Sequence, residues 1–136
     1  MLRVGVALRR DREKSNHKII AITGSNGKTT TKDLLYHILK NKYKCSKSIG
    51  NHNNTIGLPL SLLNCKLDDE YTILELGANK KGEIALLCDL VKPNYSIITN
   101  ISNNHIENFK SLNDIAKTKA AIFNNLKDDG IAFVNL

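Results

Sequence analysis

The sequence predicts an α/β fold, in which a mostly parallel β-sheet carries helices on both faces. Apolar, β-branched runs alternate along the chain with amphipathic segments of helical length. The runs are apolar throughout, which is typical of strands that are buried on both faces. With 136 residues, the chain has the length of one domain. We therefore expect the loops at the carboxyl ends of the strands to form the ligand site.

Three apolar runs are the clearest strand candidates. They are KIIAIT at 18–23, YTILEL at 71–76 and YSIITNI at 95–101. A shorter candidate, CSKSI at 45–49, precedes a polar loop. A last strand is predicted at 131–136, because the turn sequence KDDG precedes an apolar run there.

Four segments between these strands are predicted to be helical. They cover 30–42, 55–64, 82–91 and 111–126. In the first of them, one apolar face is expected to consist of Leu34, Leu35, Ile38 and Leu39. The last has a capping residue at Ser111, with Asp114 three residues later.

The segment TGSNGKTTTK, which follows the first strand, is similar to a phosphate-binding loop. The common pattern G-x-x-x-x-G-K-[ST] requires a glycine where this chain has Ile22. The position between a buried strand and an amphipathic helix nevertheless favours a phosphate loop. Lys28 is predicted to reach the β- and γ-phosphates, and Thr29 to offer its hydroxyl to Mg²⁺. The candidate nucleotide-binding residues are Gly24, Ser25, Asn26, Gly27, Lys28, Thr29 and Thr30.

Polar residues near the other strand ends are further candidates. Glu75 ends an otherwise apolar strand, where a protein with a phosphate loop holds its metal, although a glutamate there can also be simply exposed. His105 follows the third strand and Lys119 lies on the last predicted helix. By local pattern alone, both pass as solvated polar residues. The residues thus predict a Mg-nucleotide site and leave the use of the phosphate open.

Composition argues against several other classes of function. The net charge is +7, but residues 1–18 carry +4 of it, and the chain has no tryptophan for base stacking, so no nucleic-acid partner is expected. No run approaches the roughly 18 apolar residues of a membrane span, and no cleavage site suggests a secretory signal. The cysteines, which are Cys45, Cys65 and Cys88, form no C-x-x-C pair. They indicate reduced thiols in a cytoplasmic protein.

Five motifs, taken in order, resemble the Mur ligase family. They are TGSNGKTTTK, GNHNNTIGLPLSLL, ILELGANKKGEI, TNISNNHIENF and AKTKAAIF. The short loop G-S-N-G-K-T is this family's own form of the phosphate loop. The resemblance covers residues 18–136, which would be an incomplete central ATP-binding domain, while residues 1–17 match a lead-in segment. It implies that an N-terminal UDP-binding domain and a C-terminal domain belong to the complete ligase.

Within the family, the motifs resemble most closely those of members that add D-alanyl-D-alanine to UDP-N-acetylmuramoyl-tripeptide. The resemblance implies that ATP phosphorylates a substrate carboxylate and that the dipeptide amine attacks the acyl phosphate. Two alternatives remain at this point. One is a different muramyl ligase or a folate-type polyglutamating ligase, and the other is a fragment that binds nucleotide without turnover.

The resemblance also implies roles for individual residues. Lys28 and Thr29 would bind phosphate and a first Mg²⁺, and Glu75 would be a further ligand of that metal. Asn53 and Asn54 fall where the family meets the nucleotide or the muramyl substrate.

A second metal is implied for the remaining candidates. His105 would be its ligand, and Lys119 matches a lysine that the family carries as a carbamate. The family usually has an acidic residue two positions after this lysine, where the chain has Ala121.

Overall fold

The computed structural model of the chain describes residues 16–66, 68–103 and 109–135, and its strands form one parallel sheet. The order across the sheet is β2-β3-β1-β4-β5, and every neighbouring pair is parallel. The predicted parallel α/β fold is therefore confirmed. The strands are β1 (Lys18–Thr23), β2 (Cys45–Lys47), β3 (Tyr71–Glu75), β4 (Tyr95–Ile98) and β5 (Ile131–Val134).

Four helices connect these strands within the described residues: α1 (Lys28–Leu39), α2 (Gly57–Leu63), α3 (Glu83–Val91) and α4 (Leu112–Asn124). The predicted cap of α4 is present, because Ser111 Oγ accepts a hydrogen bond from the backbone N–H of Asp114 at 3.2 Å. In the part of the chain that the structure describes, no helix combines the length and the apolar content that crossing a membrane requires.

Helices cover both faces of the sheet. On one face, Ile20 and Ile22 of β1 pack with Leu35 and Leu39 of α1. On the other face, apolar residues of β1 and β3 pack against α2, α3 and α4, as the core residues Ile19, Ala21, Leu74, Leu58, Leu87 and Ile122 show. The helix that follows β1 lies on one face of the sheet, whereas the helices that follow β3 and β4 lie on the other face. The loops at the carboxyl ends of these strands therefore diverge and leave a crevice.

The orientation of α1 differs from the prediction. The helix covers Lys28–Leu39 rather than 30–42, and the expected apolar face is partly wrong because Leu34 and Ile38 are 58% and 55% exposed. Lys32 is instead buried, with 1% of its surface exposed. It precedes Leu35 by three residues and Leu39 by seven, so all three lie on the face directed at the sheet.

The cysteines carry no disulfide: Cys45, Cys65 and Cys88 are all free thiols, as predicted. Burial raises the pKa of the Cys88 thiol to about 12, so it stays protonated and unreactive at neutral pH. Cys65 is also buried, and its Sγ lies 3.1 Å from the carbonyl oxygen of Ser61. These two thiols contribute to the core.

Candidate functional site

A cavity of about 230 Å³ opens at the carboxyl ends of β1 and β3. The loop after β1 forms one wall, and the loops that follow β2 and β3 form the others. Residues of α4 complete the lining. Among the lining residues are Gly24, Ser25, Lys28, Asn53, Asn54 and Lys119.

The loop after β1 is fastened to the loop after β4. The backbone N–H of Ser25 donates to Asn100 O at 2.9 Å, and that of Asn26 donates to Asn100 Oδ1 at 3.0 Å. Ser25 Oγ accepts from the backbone N–H of Ser102 at 2.9 Å. The backbone N–H groups of Ser25 and Asn26 therefore hold this loop against the loop after β4.

Two glycines shape this loop. Gly24 has φ +148°, and a Cβ placed there would overlap Thr99 Oγ1 and lie 3.1 Å from Thr99 Cβ. Gly27 caps α1 in the left-handed conformation, at φ +77°. The glycines of the short loop are thus required by close approach at one position and by backbone conformation at the other.

Lys28 extends back over the loop from the first residue of α1. Its Nζ donates to Gly24 O at 3.0 Å and to Ser25 O at 3.2 Å. These carbonyl oxygens hold the ammonium at the cavity wall, where an incoming anion can replace them as its partners. Thr30 lies in the same turn and is exposed.

Thr29 and Glu75 form the candidate metal site. Thr29 Oγ1 donates to Glu75 Oε2 at 2.8 Å, and Asn53 Nδ2 donates to Glu75 Oε1 at 2.8 Å. Glu75 is only 2% exposed. Hydroxyl and carboxylate oxygens are the hard donors that Mg²⁺ prefers, so this pair fits one side of a Mg²⁺ ion whose other ligands are phosphate and water. Among the described residues, no group of three or more His, Cys, Asp or Glu side chains could hold a metal.

Lys32 is a residue of this site that the sequence interpretation missed. Its Nζ donates to Gly50 O at 2.9 Å and lies 3.7 Å from Glu75 Oε2. The signal was present in the sequence, because position 32 lies in helical phase with Leu35 and Leu39. A lysine in phase with a buried stripe requires an internal partner.

The two asparagines of the loop after β2 have different surroundings. Asn53 contacts Glu75 and also packs over Gly77, where an added Cβ would lie 2.8 Å from Asn53 Cγ. Asn54 lines the cavity, but its Oδ1 accepts from the backbone N–H of Gly57 at 2.8 Å. Asn53 therefore orients the carboxylate, while Asn54 also organises the start of α2.

Lys119 of α4 faces the same cavity as Lys28, and its side chain is largely buried. Burial, and secondarily the charge of Lys28, lower the pKa of Lys119 from 10.5 to about 8. A larger fraction of this amine is therefore neutral and nucleophilic near neutral pH than for an exposed lysine. His105, the other residue predicted for the second metal, lies outside the described residues.

Comparison with known proteins gives the family. The sequence model of the Mur ligase middle domain matches residues 22–136. The chain belongs to the Mur ligase family. The phosphate loop, Glu75 and Lys119 all lie within the matched region of this Mur ligase domain.

Several relatives of this Mur ligase chain are named for one particular ligase of the family. A UDP-N-acetylmuramoyl-tripeptide–D-alanyl-D-alanine ligase from Borreliella burgdorferi is 53% identical over 110 residues, which cover 81% of this chain and 24% of the relative. MurF from Acinetobacter baumannii has a TM-score of 0.90 at 36% identity, over 96% of this chain and 29% of that one. MurF from Thermotoga maritima, solved in complex with ADP, has a TM-score of 0.89 at 36% identity, over 97% of this chain and 31% of that one. The chain spans about a quarter of the length of the curated relatives it matches.

Proposed function

We propose that this chain is the ATP-binding core of a ligase that adds D-alanyl-D-alanine to UDP-N-acetylmuramoyl-tripeptide in peptidoglycan precursor synthesis. The observation that carries the proposal is that Lys28 lines the cavity beside the hydrogen-bonded pair Thr29–Glu75, in a Mur ligase chain whose relatives bear that activity in their names. The 53% identity of one such relative favours this acceptor over a single amino acid or a folate.

The proposed reaction has two steps. An oxygen of the muramyl tripeptide carboxylate attacks the γ-phosphorus of ATP, so that an acyl phosphate forms and ADP leaves. The amino group of D-alanyl-D-alanine then attacks the acyl carbon, and inorganic phosphate leaves with the bonding electrons while the nitrogen loses a proton. Positioning of the reactants and neutralisation of phosphate charge account for most of the rate of the first step.

The nucleotide half of the site has the residues that this step requires. Lys28 would exchange its two carbonyl partners for oxygens of the β- and γ-phosphates, which are stronger acceptors because they are charged. Thr29 and Glu75 would hold Mg²⁺, which supplies neutralisation of the phosphate oxygens when it is bound. Asn53 would keep the Glu75 carboxylate turned towards Thr29.

We place Lys119 and His105 in the second-metal half of the site. The neutral Lys119 amine would attack CO₂ and release a proton, giving a carbamate whose oxygens can bind metal. The lowered pKa of Lys119 supports this role, because only the neutral amine reacts. His105 is assigned by its position in the family motif alone.

The complete ligase requires more than this chain. The proposal assigns residues 18–136 to the central domain, residues 1–17 to the lead-in segment, and the binding of the UDP end and of the dipeptide to further domains. It places the enzyme in the cytoplasm, in keeping with its three free thiols. For the 136-residue chain alone we expect nucleotide binding without turnover, because acyl transfer requires groups that surround both substrates.

An acceptor panel tests the proposal. Phosphate release from ATP is measured in the complete protein that carries this sequence, with three sets of substrates. The first set is UDP-N-acetylmuramoyl-tripeptide with D-alanyl-D-alanine, and the second is the same tripeptide with single amino acids. The third set is a folate with glutamate. We expect release with D-alanyl-D-alanine alone, and none in Lys28→Ala. Faster release with a single amino acid or with the folate pair would assign the chain to another ligase of the family.

A further inference from the structure

We propose that Lys32 is a built-in counter-ion that keeps free divalent cations out of the Thr29–Glu75 site, so that metal enters only together with the nucleotide. This inference rests on the proposed function, since it concerns the same metal position. Lys32 would act through Glu75 and is therefore a positioning residue rather than a catalytic one.

The ammonium group of Lys32 is fixed in a buried position. The Lys32 side chain is 2% exposed and the Glu75 side chain 3%, with 3.7 Å between Nζ and Oε2. A second contact anchors Nζ, which donates to Gly50 O in the loop after β2 at 2.9 Å. A buried ammonium is costly to leave without partners, so these contacts hold the charge next to the carboxylate.

The carboxylate of Glu75 is already satisfied when no metal is bound. Oε1 accepts from Asn53 and Oε2 accepts from Thr29, each at 2.8 Å, and Lys32 balances the negative charge. A cation arriving alone would have to displace these donors and approach an ammonium at short range. Within the described residues, Glu75 belongs to no group of three or more His, Cys, Asp or Glu side chains that could hold a metal ion.

A metal that arrives with a nucleotide meets different electrostatics. The phosphates bring several negative charges and several oxygen ligands, which outweigh the repulsion from Lys32. The Lys32 ammonium therefore disfavours binding of a free cation but does not prevent binding of the metal–nucleotide complex. The order of binding is thereby built into the apoprotein through one buried lysine.

The test is a titration with Mn²⁺, used as a spectroscopic substitute for Mg²⁺, without nucleotide and at pH above neutrality. Wild type is compared with Lys32→Met, which keeps most of the side-chain volume and removes the charge. The matched control is Lys47→Met, because Lys47 pairs with Asp33 at 2.7 Å on the surface, where both side chains are at least 34% exposed. Electron paramagnetic resonance counts free Mn²⁺, and circular dichroism establishes that each variant is folded.

We expect Lys32→Met to bind Mn²⁺ saturably, because a charge about 4 Å from the carboxylate has been removed. Wild type and Lys47→Met should not saturate even at Mn²⁺ concentrations about tenfold higher. The added substitution Glu75→Gln should abolish that gain. Loss of structure alone would not create a metal site. Lys32→Arg, which keeps the charge, should exclude Mn²⁺ as wild type does.

Two outcomes would overturn the inference: saturable Mn²⁺ binding by wild type without nucleotide, or a folded Lys32→Met that binds Mn²⁺ no more tightly than wild type. If Lys32→Met does not fold, Lys32→Gln, which also removes the charge, takes its place with the same expected gain and the same overturning result. A parallel titration of wild type with Mn-ATP separates the two proposals. Binding of Mn-ATP supports the nucleotide site whatever Lys32 does, whereas its absence would count against the proposed function itself.

Discussion

The substitution Gly24→Ala tests whether the short phosphate loop depends on close contact with the loop after β4. The new Cβ would overlap Thr99 Oγ1 and would lie 3.1 Å from both Thr99 Cβ and Thr99 N. Thr99 would have to withdraw by about 1 Å or more to reach ordinary van der Waals distance. Its hydroxyl would then lose the hydrogen bond that it donates to Asn26 O at 2.6 Å.

The expected cost of Gly24→Ala has three parts. Overpacking costs about 1–3 kcal/mol, and the lost hydrogen bond about 0.5–1.5 kcal/mol. A side chain at φ +148° adds strain of about 1–3 kcal/mol. Together they lower the free energy of unfolding by about 2.5–7.5 kcal/mol, a large fraction of the roughly 5–15 kcal/mol of a typical domain.

Urea unfolding followed by circular dichroism measures this cost. The matched control is Gly82→Ala, where φ is +89° but a Cβ meets nothing within 4 Å, so that only strain of about 1–3 kcal/mol is expected. When Thr99→Ala is added to Gly24→Ala, the free energy of unfolding should rise again by about 1 kcal/mol or more, because the second substitution removes the overlapping atom. If Gly24→Ala costs no more stability than Gly82→Ala, or if Thr99→Ala recovers none, the Cβ at position 24 does not clash with Thr99.

Three further predictions concern other parts of the site and fold. Relative to Lys119→Met, wild type should gain stability as pH rises from about 8 to 10.5, because over that window the unfolded chain binds the Lys119 proton more tightly; thermal melts at several pH values check this. Gly77→Ala should displace Asn53, whose Cγ would lie 2.8 Å from the new Cβ, and should weaken Mg-ATP binding about tenfold in calorimetry. Ser111→Ala should lower the free energy of unfolding by about 1 kcal/mol in urea, while Ser111→Asp should preserve it.

Each of these has a contradicting outcome. A pH profile of wild type parallel to that of Lys119→Met would show that the Lys119 amine has an ordinary pKa in the folded chain. Unchanged Mg-ATP affinity in Gly77→Ala would mean that Asn53 does not orient the metal ligand. Equal stability of wild type and Ser111→Ala would mean that the cap contributes nothing to α4.

Much of the fold follows from the sequence because its signals are local. Buried parallel strands are apolar along their whole length, so the runs at 18–23, 71–76 and 95–101 identify β1, β3 and β4 directly. The cap at Ser111 depends on residues three positions apart and was also predictable. The buried face of α1 was not predictable, because Leu34 and Ile38 are as apolar as the residues of α1 that pack on the sheet. Only the position of the sheet decides which side of the helix is buried.

The local sequence was enough to place each candidate residue at a strand end: Thr29 follows β1, and Glu75 ends β3. Thr29 and Glu75 meet because β1 and β3 are neighbours and both end at the same edge of the sheet. The contacts of Ser25 with Ser102 depend on β4 lying on the other side of β1, a strand order that local patterns do not contain. Lys32 was missed because a lysine in a helix ordinarily reads as a solvated residue.

The most direct test of a preformed phosphate site is calorimetric titration of Mg-ATP into the 136-residue chain, in parallel with Lys28→Ala and Lys40→Ala. Lys40 is exposed at the opposite end of α1, so its removal controls for a change in net charge. We expect saturable binding by wild type and Lys40→Ala, and affinity lowered at least tenfold in Lys28→Ala, since a charged hydrogen bond contributes about 1.5–3 kcal/mol. Absence of binding by the folded wild type, or equal binding by all three proteins, would contradict it.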